Sequence, residues 1–285
     1  MNQPALPTPT TEAGAAGLEA LLDRPREAVL ALDYDGVLAP IVDDPAQARP
    51  YDRSMAALSR LAVHVGAIAV ITGRPADVVA KLGGFTDLPE LGELVVFGHY
   101  GRERWDASSR TVTAPPESSA VIAARAELPP LLAGLGIDDA TIEDKGSSLA
   151  VHTRRSADPH GTLDRLSAPL AEFAARHGLM VEPGRLVIEL RPPGVDKGTA
   201  LRVLVAERNA SVVTYAGDDL GDLTAFAAVE ALREENVAGL KICSGSAEAA
   251  PEVAKRADIV VDGPEGMADV LEGLLDALTR RSPFR

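Results

Sequence analysis

Residues 28–40, AVLALDYDGVLAP, carry two carboxylates, Asp33 and Asp35, out of an apolar run and up to Gly36. The run has the composition of a buried parallel strand. Two acids at i and i+2 at the mouth of such a strand repel each other and resist desolvation unless a cation or a bound substrate compensates them. That pattern points to metal-assisted chemistry. Alone, an Asp-x-Asp-Gly is also an ordinary turn, so the weight of the assignment falls on the rest of the chain.

Three further segments follow in a telling order. After the apolar stretch 66–71 come Thr72, Gly73 and Arg74, a hydroxyl and backbone amides suited to holding an anion at the start of the next helix. Asp196, Lys197 and Gly198 precede the helix-like segment 199–207, and the strand-like run 211–216 ends in Gly217-Asp218-Asp219-Leu220-Gly221-Asp222. Each set lies at the predicted carboxyl end of a strand or the start of a helix. Ligands of open α/β sheets bind there.

In order and spacing these four segments resemble the signature of the haloacid dehalogenase superfamily of aspartate-nucleophile phosphohydrolases. Within it, the chain is similar to trehalose-6-phosphate phosphatases over almost its whole length. The resemblance implies Asp33 as nucleophile, Asp35 as general acid and base, Thr72 as phosphate-binding hydroxyl and Lys197 as the cation steadying nucleophile and phosphoryl group. It also implies an acidic magnesium site at Asp218 and Asp222. The implied activity is magnesium-dependent hydrolysis of trehalose 6-phosphate to trehalose and phosphate through an aspartyl-phosphate, with a functional link to a trehalose-phosphate synthase. The alternatives left open are a phosphatase of another phosphorylated disaccharide, pseudo-disaccharide or sugar phosphate, and a non-catalytic sugar-phosphate-binding protein.

The residue types suit that chemistry. A carboxylate approaching a phosphomonoester dianion costs about 4 kcal/mol per charge pair at 4 Å and an effective dielectric of 20, so cations and amide donors must offset it. Magnesium prefers a few carboxylate oxygens with phosphate and water, which Asp33, Asp218 and the backbone carbonyl of Asp35 could supply alongside Asp222.

Composition limits the other possibilities. With 285 residues, 46% of them hydrophobic, the chain can build real cores, and only 4% aromatic content leaves them to aliphatic residues. A formal net charge of −14 argues against nucleic acid and anionic membrane as partners. The single cysteine, Cys243, excludes an internal disulfide and a cysteine-based zinc cage. No apolar run approaches a membrane span and the N-terminus lacks a signal pattern, so a cytoplasmic location is expected.

The elements that must position these groups alternate strand and helix from residue 28 to about 98 and again from 196 onward. The expected fold is α/β, a Rossmann-like doubly wound parallel sheet core with an inserted α+β cap domain. The expected boundaries are a flexible tail at 1–14, a catalytic core at 15–107 and 194–285, and a cap at 108–193. The cap reads as two helices on one face of an antiparallel sheet, with Glu143 and Lys145, His152 and Arg154, and Glu189 and Arg191 at same-face positions on the other. A cleft between core and cap is the expected substrate site, with Gly73, Arg74, Glu143, Lys145, Arg154 and Glu189 as substrate-binding residues. The family's cap has a Glu-x-Lys segment matching Glu143-Asp144-Lys145. Tyr100 stands where the family's His-Gly-x-Glu pattern has histidine, and Gly221 and Leu223 replace its usual threonine and glutamate.

Overall fold

The computed structural model describes residues 6–245 and 251–281. They divide into two compact units, 1–113 with 196–285 and 114–195. The first is built on an eight-stranded sheet whose strands are β1 (Ala28–Leu32), β2 (Ala67–Ile71), β3 (Val95–Gly98), β4 (Glu103–Asp106), β5 (Thr111–Thr113), β10 (Val212–Gly217), β11 (Ala238–Gly245) and β12 (Ile259–Asp262). Their order is β12-β11-β10-β1-β2-β3-β4-β5, parallel through β3 and antiparallel at β4 and β5.

Both faces of the parallel strands are covered, which is why β1 and β2 read as unbroken apolar runs and β10 as a run broken only by Thr214 and Tyr215. Leu30, Leu32, Ile68 and Val70 pack with Leu21, Leu58, Leu61, Leu271 and Leu274 from helices Glu12–Asp23, Asp52–Leu61 and Gly263–Arg281. The alternate residues Val29, Ala31, Ala69, Ile71 and Val213 pack with Leu201, Leu204, Phe226 and Val229 from helices Lys197–Glu207 and Leu223–Glu234. The chain winds outward from β1 in both directions, through β2 and β3 on one side and β10 to β12 on the other. The junction of β1 and β10 is therefore the topological switch point, where loops diverge and leave a crevice.

The second unit holds β6 (Thr141–Asp144), β7 (Leu149–His152), β8 (Met180–Gly184) and β9 (Val187–Arg191) in the antiparallel order β6-β7-β9-β8. Helices Ser119–Gly134 and Pro159–His177 cover one face through Val121, Leu128, Leu166 and Leu170 against Leu149, Val151, Ile188 and Leu190.

Three expectations shift. The inserted unit runs 114–195 rather than 108–193, because Thr111–Thr113 pairs with β4 and belongs to the main sheet. The flexible tail does not extend to 14: the Thr10 N–H donates to the Asp258 carbonyl at 2.7 Å and the Thr11 hydroxyl to Asp258 Oδ1 at 2.6 Å, and helix begins at Glu12. Residues 1–5 of that tail lie outside the described residues. Third, β7 ends at His152, so Arg154 lies exposed in the following turn and is not a same-face neighbour of His152 on the strand.

Candidate active site

Asp33 is the first residue beyond β1, Thr72 the first beyond β2 and Asp218 the first beyond β10. The parallel register thus delivers all three to one edge of the sheet. Lys197 opens its helix behind the N-cap Asp196, whose carboxylate accepts the Thr199 N–H at 2.7 Å. From there Lys197 Nζ donates to Asp33 Oδ2 at 2.7 Å and to Asp222 Oδ1 at 2.8 Å. Asp33, Asp218, Asp222 and Lys197 are all nearly inaccessible to solvent.

Asp222 is held from four directions. Its Oδ1 also accepts the Tyr215 hydroxyl at 2.6 Å, and its Oδ2 accepts the N–H groups of Asp218 and Asp219 at 2.8 and 3.1 Å. Those bonds and the ammonium of Lys197 outweigh the cost of burial and hold the carboxyl below the usual range. Asp33 and Asp218 are in the opposite state. Burial, with repulsion from neighbouring carboxylates, pushes Asp33 well above the usual range despite Lys197, and pushes Asp218 up to about 9. Burial works against the charge on Lys197, but Asp222 and Asp33 hold its pKa well above the ordinary lysine value.

Of these three buried carboxyl groups, Asp33 and Asp222 pair with the buried ammonium of Lys197 and Asp218 does not. Oxygens of Asp33, Asp218 and Asp222 lie within 4.8 Å of one another. Such a set has a surplus of negative charge that a hard divalent cation would neutralise. The donors fit: all are oxygens, and no histidine or cysteine joins the group. Asp222 accepts four hydrogen bonds and is suited to fixing Lys197 and the Asp218–Asp219 backbone, whereas Asp33 accepts one bond on each oxygen, from the Tyr34 N–H at 2.6 Å and from Lys197. Gly36 serves the same arrangement. It sits at φ 73°, and a Cβ there would collide with the Asp218 carboxylate. The Gly36 carbonyl is fixed by the Ser244 hydroxyl at 2.6 Å.

Asp35 has a partner that sequence reasoning missed. Arg74 Nε and Nη2 donate to its two carboxylate oxygens at 2.6 and 2.7 Å, and Nη1 donates to the Pro45 carbonyl at 2.6 Å. Arg74, expected to bind substrate, is instead committed to Asp35 in this structure. Thr72 is buried, and its hydroxyl oxygen accepts the Arg74 N–H at 3.2 Å, which leaves the hydroxyl proton for an anion. Gly73 accommodates Tyr100, since a Cβ there would lie 2.9 Å from the ring's Cζ and Oη. Tyr215 was also missed. A phenol in a fully buried strand needs a hydrogen-bond partner, which was the available signal.

In the second unit, Glu143, Ala150, Glu189 and Glu182 stand in one row across the sheet, on the face away from the helices. Its charges are paired. Glu143 meets His152 at 2.8 Å, Lys145 donates to Glu189 at 2.8 Å, Ser148 donates to Glu189 at 2.5 Å and Arg191 donates to Glu182 at 2.7 Å. Glu189 is buried, whereas Glu143 is exposed.

Comparison with known proteins adds the following. The profile of a family described as trehalose-phosphatase matches residues 31–259. The trehalose-phosphate phosphatase of Mycobacterium avium (strain 104) is 33% identical over 286 residues, covering 94% of this chain and 66% of that protein. The chain spans between half and two thirds of the length of the mycobacterial relatives of that description. Among solved structures, the C-terminal domain of C. albicans trehalose-6-phosphate phosphatase superposes with a TM-score of 0.77 at 20% identity, covering 95% of this chain and 99% of that one. A haloacid dehalogenase-like hydrolase from Bacteroides thetaiotaomicron superposes with a TM-score of 0.64 at 17% identity, covering 86% and 98%. At these identities the superpositions establish a shared α/β fold.

Proposed function

The chain belongs to the trehalose-phosphatase family, and on that basis we propose that it hydrolyses trehalose 6-phosphate to trehalose and phosphate with the help of magnesium. The observation that carries this reading is the meeting of buried oxygens of Asp33, Asp218 and Asp222 within 4.8 Å, with Lys197 donating to Asp33 and Asp222: full ionisation of that set calls for a further cation. Magnesium held by Asp33, Asp218 and the Asp35 carbonyl would neutralise phosphoryl oxygens and the repulsion between nucleophile and substrate.

The side chains divide the remaining work. Lys197 fixes Asp33 Oδ2, which orients the carboxylate and favours its ionised form against the burial that raises its pKa. Asp33 attacks phosphorus in line with the sugar oxygen, forming an aspartyl-phosphate and splitting one hard step into two. The Thr72 hydroxyl and the Gly73 N–H donate to the equatorial oxygens, where the charge of the transition state accumulates. Asp35 gives its proton to the departing sugar oxygen and then takes one from the water that attacks the aspartyl-phosphate. Arg74 holds both oxygens of Asp35 and so fixes where that side chain lies beside Asp33.

For the sugar, the polar sheet face of the second unit offers the right groups. Glu143 and Glu189 on the sheet, with Lys145 just beyond the end of β6, supply acceptors and a cationic donor, the chemistry that several hydroxyls require. Arg154, exposed and outside the strand, adds a further donor. A phosphate-release assay across trehalose 6-phosphate, glucose 6-phosphate and other glycosyl phosphates tests the reading. The highest kcat/KM is expected for trehalose 6-phosphate. A clear preference for another ester would reassign the substrate, and no release from any ester would refute hydrolysis. Among the described residues no helix is long and apolar enough to cross a membrane.

A further inference from the structure

Residues 98–103 run beside the site without a role so far. His99 and Tyr100 both adopt left-handed backbone conformations, at φ 47° and 61°. That region is costly for residues with a Cβ, above all bulky ones, and persists where surrounding contacts impose it. Here two backbone bonds do so. The His99 N–H donates to the Arg74 carbonyl at 3.0 Å and the Tyr100 N–H to the Thr72 carbonyl at 2.9 Å, stitching the turn to both sides of Gly73.

The strained turn fixes where the phenol lies. Its hydroxyl end rests over Gly73, 2.9 Å from where a Cβ would be, and its Cε1 is 3.8 Å from the corresponding point at Gly221. The ring therefore bridges the Thr72–Arg74 loop and the Asp219–Asp222 turn, both of which carry catalytic groups. Tyr100 is only half-buried, so its edge remains accessible to a ligand. Glycine at 73 is what permits this approach, since any side chain there would displace the ring.

Building on the phosphohydrolase reading, we propose that Tyr100 is a further substrate-binding residue, its hydroxyl donating to the phosphoryl group that Thr72 and Gly73 hold. A phenol is a neutral donor at pH 7 and strengthens as a partner when the acceptor is anionic. The contact is common to every phosphomonoester, because it addresses the phosphoryl end and not the sugar.

The test compares wild type with Tyr100→Phe, which keeps the ring and loses only the hydroxyl. Both are assayed with magnesium on trehalose 6-phosphate and on 4-nitrophenyl phosphate, with orthovanadate as inhibitor and melting temperature recorded alongside. The expected result is an unchanged melting temperature, a fall in kcat/KM of roughly tenfold or more on both esters, and a vanadate inhibition constant weakened by a similar factor. Unchanged kinetics and inhibition in an active enzyme would overturn the assignment. A loss confined to trehalose 6-phosphate would overturn it too, by directing the hydroxyl to the sugar. Lower activity with a lowered melting temperature and unaltered vanadate inhibition would make Tyr100 a packing residue. A wild type that neither hydrolyses an ester nor responds to vanadate would refute the phosphatase reading itself, and the Tyr100 assignment with it.

Discussion

The edge of the parallel sheet and the polar face of the four-stranded sheet both collect charged side chains, but they balance charge differently. At the first, three buried carboxyl groups meet and one ammonium pairs with two of them, while burial pushes Asp33 and Asp218 far above their usual range. At the second, acids and bases occur in pairs: Glu143 with His152, Lys145 with Glu189, Arg191 with Glu182. A self-neutralised set is stable without a ligand, whereas a buried surplus of one sign is tolerable only if something of the other sign arrives. The first region is thus marked as a site by its own electrostatics. The second needs an outside argument, here the family to which the chain belongs.

Experiments can break or sharpen that contrast. The largest effect is expected from Asp33→Asn, which keeps the shape and removes the carboxylate proposed as nucleophile: kcat should fall by more than about a thousandfold while substrate still binds. Retention of activity within about tenfold of wild type would remove Asp33 from the reaction. Chelation should also stop turnover, with magnesium restoring it and calcium, which favours looser and higher coordination, inhibiting. A metal-stripped protein with full activity would mean that Lys197 alone balances the carboxylates.

Lys197→Met probes the balance directly. Removing the ammonium that bonds Asp33 and Asp222 should lower stability by about 3–5 kcal/mol, read as a melting temperature several degrees lower. By contrast, Glu143→Gln removes half of a pair whose side chains are 51% and 38% exposed, and should cost about 0–1 kcal/mol. Equal losses in thermal melts would erase the distinction between the regions.

The smallest effect concerns the second region alone. Glu143→Ala or Lys145→Ala should lower kcat/KM for trehalose 6-phosphate by roughly 10- to 150-fold, the worth of a hydrogen bond to a charged group. Hydrolysis of 4-nitrophenyl phosphate should hardly change, because remote contacts orient only substrates large enough to make them. Parallel losses on both esters would mean that the ion pairs of this face hold the unit together and do not read the sugar.

Much of this was legible in the sequence. The apolar runs of β1, β2 and β10 declare buried parallel strands, and each ends in the residues that would do chemistry, because the carboxyl ends of parallel strands share one edge. The helices and strands of the inserted unit were equally readable from local periodicity. The hairpin Glu103–Asp106 and Thr111–Thr113 was not: its strands are short, mixed in character and defined by pairing with β3.

Sequence by itself therefore determined the strand and helix order of the sheet and the placing of Asp33, Thr72 and Asp218 at strand ends, since composition and spacing along the chain encode those. Tertiary structure decided who partners whom. The grip of Arg74 on Asp35 spans 39 positions and the contact of Lys197 with Asp33 spans 164, distances over which no local pattern speaks. It also decided that Asp222 is saturated by Lys197, Tyr215 and two backbone N–H groups while Asp33 and Asp218 stay undersupplied with positive charge. Ionisation depends on burial and on the field of neighbours brought close by folding, and neither is a property of the chain until it has folded.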